Sequence, residues 1–257
     1  MKELANQIVA WIKNYAETNG IKTLVMGVSG GVDSALVSTL CAKTGLKLIV
    51  ANMPCKSKHS NNEMSDKQIQ WLIHRFNNVE NTIINLDAAF DGFKREVPSQ
   101  YHSDLSFANT KSRLRMVALY QIAGTVKGLV VGTGNKVEDF GVGFFTKYGD
   151  GGVDISPIAD LTKTEVRAMA RELGVDESII TQSPTDGLWD DSRTDESQLG
   201  ATYAELEWAM DYLAKGPAEQ VALGMPTPRQ QEVLVTYNRW HKAGAHKLNP
   251  IPTFKRA

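Results

Sequence analysis

The chain has 257 residues, of which 42% are apolar and 22% charged, ordinary proportions for a globular protein. Lys plus Arg number 28 and Asp plus Glu 29, a net charge of -1, which argues against a globally basic nucleic-acid binder. The two cysteines, Cys41 and Cys55, exclude a disulfide scaffold or a four-cysteine zinc site.

Lys2, Glu3, Lys13 and Glu17 interrupt the N-terminus, so it does not read as a signal peptide. No stretch reaches the roughly 18 apolar residues of a membrane helix. A cytoplasmic protein without nucleic-acid or membrane partners is expected. Leu4, Ile8, Trp11, Ile12 and Tyr15 follow helical spacing, and Asn19-Gly20 ends that helix. Short apolar runs follow at 23–28, 46–53, 81–86 and 128–132, separated by helical stretches at 33–43, 61–76 and 110–123. This alternation predicts an α/β fold: an open, mostly parallel sheet with helices on both faces. Thr162 and Glu165 form a capping box for a helix that Gly174 stops. Residues 183–200 are polar, acidic and aperiodic, and read as a loop. Helices are expected over 201–243, and a non-helical tail from His246 onward, because of its two prolines. No linker divides the chain, so 1–257 reads as a single domain.

The strongest chemical signal is Gly27-Val28-Ser29-Gly30-Gly31-Val32-Asp33-Ser34, between the first strand and a helix. Glycines let a backbone approach a ligand closely, and N–H groups at a helix N-terminus attract anions. Where a Walker A loop has lysine, this loop has Asp33. A bare carboxylate beside phosphates is repulsive, so Asp33 calls for a Mg²⁺ ion between them. The glycine spacing also departs from the dinucleotide fingerprint. What remains is a loop that holds a pyrophosphate. The five histidines lack zinc spacing, and Cys55 reads as a buried small residue.

Ser-Gly-Gly-x-Asp-Ser resembles the N-type ATP pyrophosphatases, which cleave ATP between the α- and β-phosphates. Downstream come GTGNKVED at 132–139, FFTKYGDGGVD at 144–154, Leu161-Thr162-Lys163, Ser183-Pro184-Thr185 and His246-Lys247. With Arg113 upstream, this ordered set resembles ammonia-dependent NAD synthetases over nearly the whole chain. The resemblance implies that 27–34, Thr133, Lys163 and Thr185 bind ATP, with Asp33 and Glu138 as Mg²⁺ ligands. Asp33 and Lys163 would be the catalytic residues. Arg113, Lys147, Asp154, His246 and Lys247 would bind deamido-NAD. The adenine nucleotide alpha hydrolase-like fold, a helical C-terminal part and a homodimer are likewise implied. Two departures stand out: Gly134-Asn135 replaces the Asp-His of many bacterial relatives, and the stretch between Glu138 and Phe144 is one residue longer.

The implied reaction is amidation of deamido-NAD to NAD through an NAD-adenylate, with release of pyrophosphate and AMP. The first strand starts near residue 22, which leaves no room before it for a glutaminase domain. Free ammonia is expected as the nitrogen source, unless a separate subunit supplies it. A GMP synthetase core and a nucleotide-binding module without turnover are the alternatives, and the FFTKYGDGG and His246-Lys247 segments argue against the first. Lys163, in the first turn of a helix, is expected at the surface, where its removal changes stability by no more than about 0.5 kcal/mol. Residues 187–198, including Trp189, are expected to close as a lid.

Overall fold

The computed structural model describes every residue except 57, 58, 186, 190–192 and 257, and only the backbone at 59–62. The first half alternates as α1 (Lys2–Thr18), β1 (Thr23–Gly27), α2 (Val32–Lys43), β2 (Lys47–Asn52), α3 (His59–Arg75), β3 (Val79–Ile83), α4 (Asp87–Glu96), α5 (Asp104–Val126) and β4 (Leu129–Val130). A π-helical turn, Val137–Val142, follows. Then come α6 (Lys163–Glu172), α7 (Glu177–Ile180), α8 (Asp195–Leu199), α9 (Tyr203–Ala214), α10 (Pro217–Ala222) and α11 (Pro228–Leu248).

The four strands are parallel, in the order β3-β2-β1-β4. Leu24, Val25 and Met26 of β1 are fully buried, as a strand covered on both faces requires. Behind β1, helix α2 is buried at every residue from Ser34 to Ala42. Its buried hydroxyls are satisfied internally, with Ser38 and Thr39 both donating to the Ala35 carbonyl. β2 lies on one side of β1 and β4 on the other, so the chain direction across the sheet reverses at β1. A crevice opens at such a reversal, beyond the carboxyl ends of the strands, where ligands of open α/β sheets bind. The loops after β1 and β4 flank it here.

A second apolar core lies outside the sheet layers. Val137 and Val142 of the π-helical turn pack with Leu199, Tyr203, Leu206, Val233 and Tyr237. Beyond these side chains, the end of the turn meets α11 backbone to backbone. At Gly244 a Cβ would lie 3.0 Å from the Gly143 Cα and 3.1 Å from the Val142 carbonyl oxygen. Gly143 itself has φ +64.

Several sequence expectations need correction. β3 starts at 79 rather than 81, and α4 was not foreseen: it buries only Phe90 and contains a helix-weakening Gly92. α5 is longer than 110–123, because Ser103 caps its start by accepting from the Ser106 N–H. The aperiodic stretch 183–200 contains α8, capped by Thr194. The tail is helical through Leu248 and stops at Asn249 (ψ 151). Pro250 restricts only the residue before it, so His246 and Lys247 belong to the last turn of α11.

Gly244→Ala should therefore lower stability by about 1–3 kcal/mol, since the atoms it meets are backbone and cannot rotate away. Thermal denaturation checks this, and a wild-type melting temperature would mean that α11 can shift without cost.

Candidate active site

The loop after β1 is held from within and from behind. The Ser65 hydroxyl of α3 donates to the Val28 carbonyl at 2.7 Å. The Ser34 hydroxyl donates to the Gly31 carbonyl at 3.0 Å and accepts from the Ser29 N–H at 3.1 Å. Gly30 takes φ +87, a left-handed turn suited to glycine. The N-cap of α2 is Gly31, with no side-chain cap hydrogen bond, which leaves the start of the helix open to an anion.

Asp33, in the first turn of α2, meets two groups from distant parts of the chain. The Lys163 Nζ lies 2.5 Å from Asp33 Oδ2 and 3.0 Å from Glu138 Oε1. Lys163 is only 2% exposed, which corrects the expectation of a surface lysine. As the first residue of α6 it lies within the Thr162–Glu165 capping box, which holds the start of that helix. Burial costs an ammonium its solvation, but two carboxylates more than offset this and hold Lys163 above its usual pKa. The two acids divide the single cation unequally. Burial, with help from the Glu138 charge, raises the Asp33 carboxyl against the pull of Lys163. Burial also pushes Glu138 upward, but Lys163 and the Tyr203 hydroxyl bring it below the usual range.

Two buried side chains complete this cluster. Asn135, fully buried, donates to Asp33 Oδ1 at 3.2 Å. Its own Oδ1 accepts from the N–H groups of Val137 and Glu138. It thus joins the β1 loop to the start of the π-helical turn. The Tyr203 hydroxyl donates to Glu138 Oε1 at 2.5 Å, and Lys163 Nζ lies over its ring, 4.7 Å from the centroid. The two sequence departures now have physical reasons. At Gly134 a Cβ would lie 2.0 Å from Asp139 Oδ2, and Asn135 supplies the bridge. A π-turn encloses one residue more than an α-turn, and the longer stretch after Glu138 adopts that form.

A cavity of about 670 Å³ opens over the cluster. It is lined by all of 27–34 and by Thr133, Glu138, Lys163 and Thr185, and also by Arg113, Lys147, His246 and Lys247. Every sequence-predicted site residue but one therefore faces one space. The exception is Asp154, whose oxygens accept from the Val130 N–H and the Tyr120 hydroxyl and which does not line the cavity. Lys147 donates to the His246 carbonyl at 2.7 Å. Lys247 donates to the carbonyls of Gly143 and Phe145.

Sequence reading missed Asp139 and Lys111. Burial pushes the Asp139 carboxyl up to about 8, and the charges of Glu138, Asp150 and Asp33 add to it. Lys111 of α5 donates to the Leu188 carbonyl at 2.9 Å, and Arg193 stacks on Trp189 at 4.2 Å. The expected lid, 187–198, lies outside the described residues at 190–192. Of its remainder, Asp195 is buried and helical. Cys55 is fully buried, as expected, and burial raises its thiol.

Comparison with known proteins gives a consistent picture. The family model described as NAD synthase matches residues 4–251. The chain is 40% identical to an NH(3)-dependent NAD(+) synthetase of Carboxydothermus hydrogenoformans, over 86% of this chain and 89% of that one. An NMN synthetase structure from Francisella tularensis superposes with TM-score 0.86 at 29% identity, covering 99% of this chain and 98% of that one. An NH3-dependent NAD synthetase structure from Campylobacter jejuni superposes with TM-score 0.79 at 25% identity, covering 99% of both chains.

Lys163→Met should cost about 3–5 kcal/mol of stability, because it strands two buried carboxylates. Urea denaturation in the presence of a chelator measures this. A loss within about 0.5 kcal/mol would show that the cluster is solvated after all.

Proposed function

The chain belongs to the NAD synthase family, and we propose that it amidates the nicotinate carboxylate of deamido-NAD with ammonia at the expense of ATP. The observation that carries this reading is the shared cavity. Its lining holds the β1 loop with Asp33, Glu138 and Lys163, and also Arg113, Lys147, His246 and Lys247, of which the first three are linked by hydrogen bonds. A triphosphate and a second anionic nucleotide can meet there.

A carboxylate does not react usefully with ammonia, because oxide is a poor leaving group. The nicotinate oxygen therefore attacks the α-phosphorus, and the bond to pyrophosphate breaks. Ammonia, not ammonium, then attacks the acyl carbon of the adenylate, and AMP leaves with the former carboxylate oxygen. The substrates supply both nucleophiles, so the protein's work is positioning and charge neutralisation. The β1 loop and the open start of α2 hold the phosphates. Lys163 neutralises charge at the α-phosphate. Arg113, Lys147, His246 and Lys247 orient the deamido-NAD.

Asp33 and Glu138 fit a hard divalent cation such as Mg²⁺: both present carboxylate oxygens to one point, now met by the Lys163 ammonium. When bound, that cation offsets the negative charge of the departing pyrophosphate. Ammonia as nitrogen source is supported by the names of the Carboxydothermus and Campylobacter relatives. The Francisella structure supports a second reading, in which the same carboxylate is amidated on nicotinate mononucleotide. A homodimer is supported by apolar side chains left exposed on α5, Leu105, Val117 and Tyr120. Among the described residues no helix is long and apolar enough to cross a membrane.

The direct assay supplies Mg-ATP and ammonium with either deamido-NAD or nicotinate mononucleotide and follows AMP. Turnover with deamido-NAD is expected, and faster turnover of the mononucleotide would favour the second reading. Asp33→Asn should keep the fold and lower AMP formation by about 10²–10³; near-wild-type turnover would remove Asp33 from the chemistry. Sedimentation should give twice the 28.3 kDa chain mass, and a monomer mass would exclude the dimer.

A further inference from the structure

Tyr203 opens α9 and belongs to the second apolar core, where it is 1% exposed. A phenylalanine would fill that core as well and would bury no hydroxyl, which costs free energy unless bonded. The hydroxyl points out of the core into the charged cluster. It donates to Glu138 Oε1 at 2.5 Å, and Asp195 Oδ2 is a second, longer acceptor at 3.3 Å. Lys163 donates to the same Oε1 at 3.0 Å. The ammonium, however, also serves Asp33, and a nucleotide that draws it toward phosphate leaves the hydroxyl, which makes the shortest hydrogen bond to Glu138, in place. The other end of Glu138 is tied by its N–H to Asn135, so backbone and carboxylate are held from opposite sides.

We propose that Tyr203 is a positioning residue for the reaction: its hydroxyl fixes the Glu138 carboxylate in the orientation that receives the divalent cation of the nucleotide. This rests on the reading of Glu138 as a metal ligand. Residues that orient metal ligands from behind are typically worth about 10–100-fold in metal affinity or activity, and Tyr203 has the geometry of such a residue. It joins the C-terminal helical core, through α8 and α9, to the phosphate end of the cavity.

The test is an electron paramagnetic resonance titration of Mn²⁺ with α,β-methylene-ATP, which cannot be cleaved, so binding is read without turnover. Tyr203→Phe keeps the ring, its packing and its contact with Lys163, and removes only the donor. Mn²⁺ affinity should fall about 10–100-fold with an unchanged circular dichroism spectrum. In a Glu138→Gln background the same substitution should add less than about twofold, because a hydroxyl that acts through Glu138 has nothing left to orient. Three results would overturn the proposal: wild-type affinity in Tyr203→Phe, an equal further loss in the Glu138→Gln background, or collapse of the fold, which would make the hydroxyl structural. A Glu138→Gln chain that binds Mn²⁺ as wild type does would overturn the metal reading itself, and the proposal with it.

Discussion

A buried ammonium held between two carboxylates constrains the rest of this structure. Removing three charges from water carries a desolvation cost that direct attraction offsets only when geometry and further hydrogen bonds are complete. Here they are supplied from four separate places. Asp33 comes from the first turn of α2, Asn135 and Glu138 from the segment after β4, Lys163 from the start of α6, and Tyr203 from α9. Each of these elements must arrive in register, or a charge is left buried without a partner. Two acids share one cation, and on the proposed function the same two carboxylates receive the divalent cation of the nucleotide.

The fold makes that convergence possible. Reversal of strand order at β1 brings the loops after β1 and β4 side by side, though 102 residues separate Asp33 from Asn135. The second core includes Val137, the neighbour of Glu138. Val233 and Tyr237 of α11 belong to it, and at Gly143 and Gly244 the absence of side chains also lets two backbones meet. That approach carries the last turn of α11, with His246 and Lys247, to the rim of the cavity. Both glycines line the cavity themselves, so a side chain added at either would part the two backbones and intrude on the site.

What the sequence revealed and what it hid follow from locality. The β1 loop was legible because its chemistry is contiguous: strand, glycines, serines, aspartate and helix succeed one another. The Thr162–Glu165 capping box was legible for the same reason, and it is present. The burial of Lys163 was not, because a first-turn position looks solvent-exposed until its partners, 130 and 25 residues away, are known. Tyr203 carries no motif-like signal, since an apolar position at a helix start is commonplace, and Asn135, though part of a recognisable segment, gave no hint of its bond to Asp33. α4 escaped notice because it buries a single aromatic residue. Expecting a non-helical tail gave the prolines a longer reach than one residue.

On the proposed function, Asp33 and Glu138 form one cation site beneath the nucleotide phosphates, at the point now met by Lys163. An anomalous-difference map from crystals grown with Mn²⁺ and α,β-methylene-ATP tests it most directly. A single peak within about 2.5 Å of both carboxylates, with the Lys163 ammonium turned to the phosphates, is the predicted result. A peak elsewhere along the triphosphate, with Lys163 still bridging Asp33 and Glu138, would contradict it.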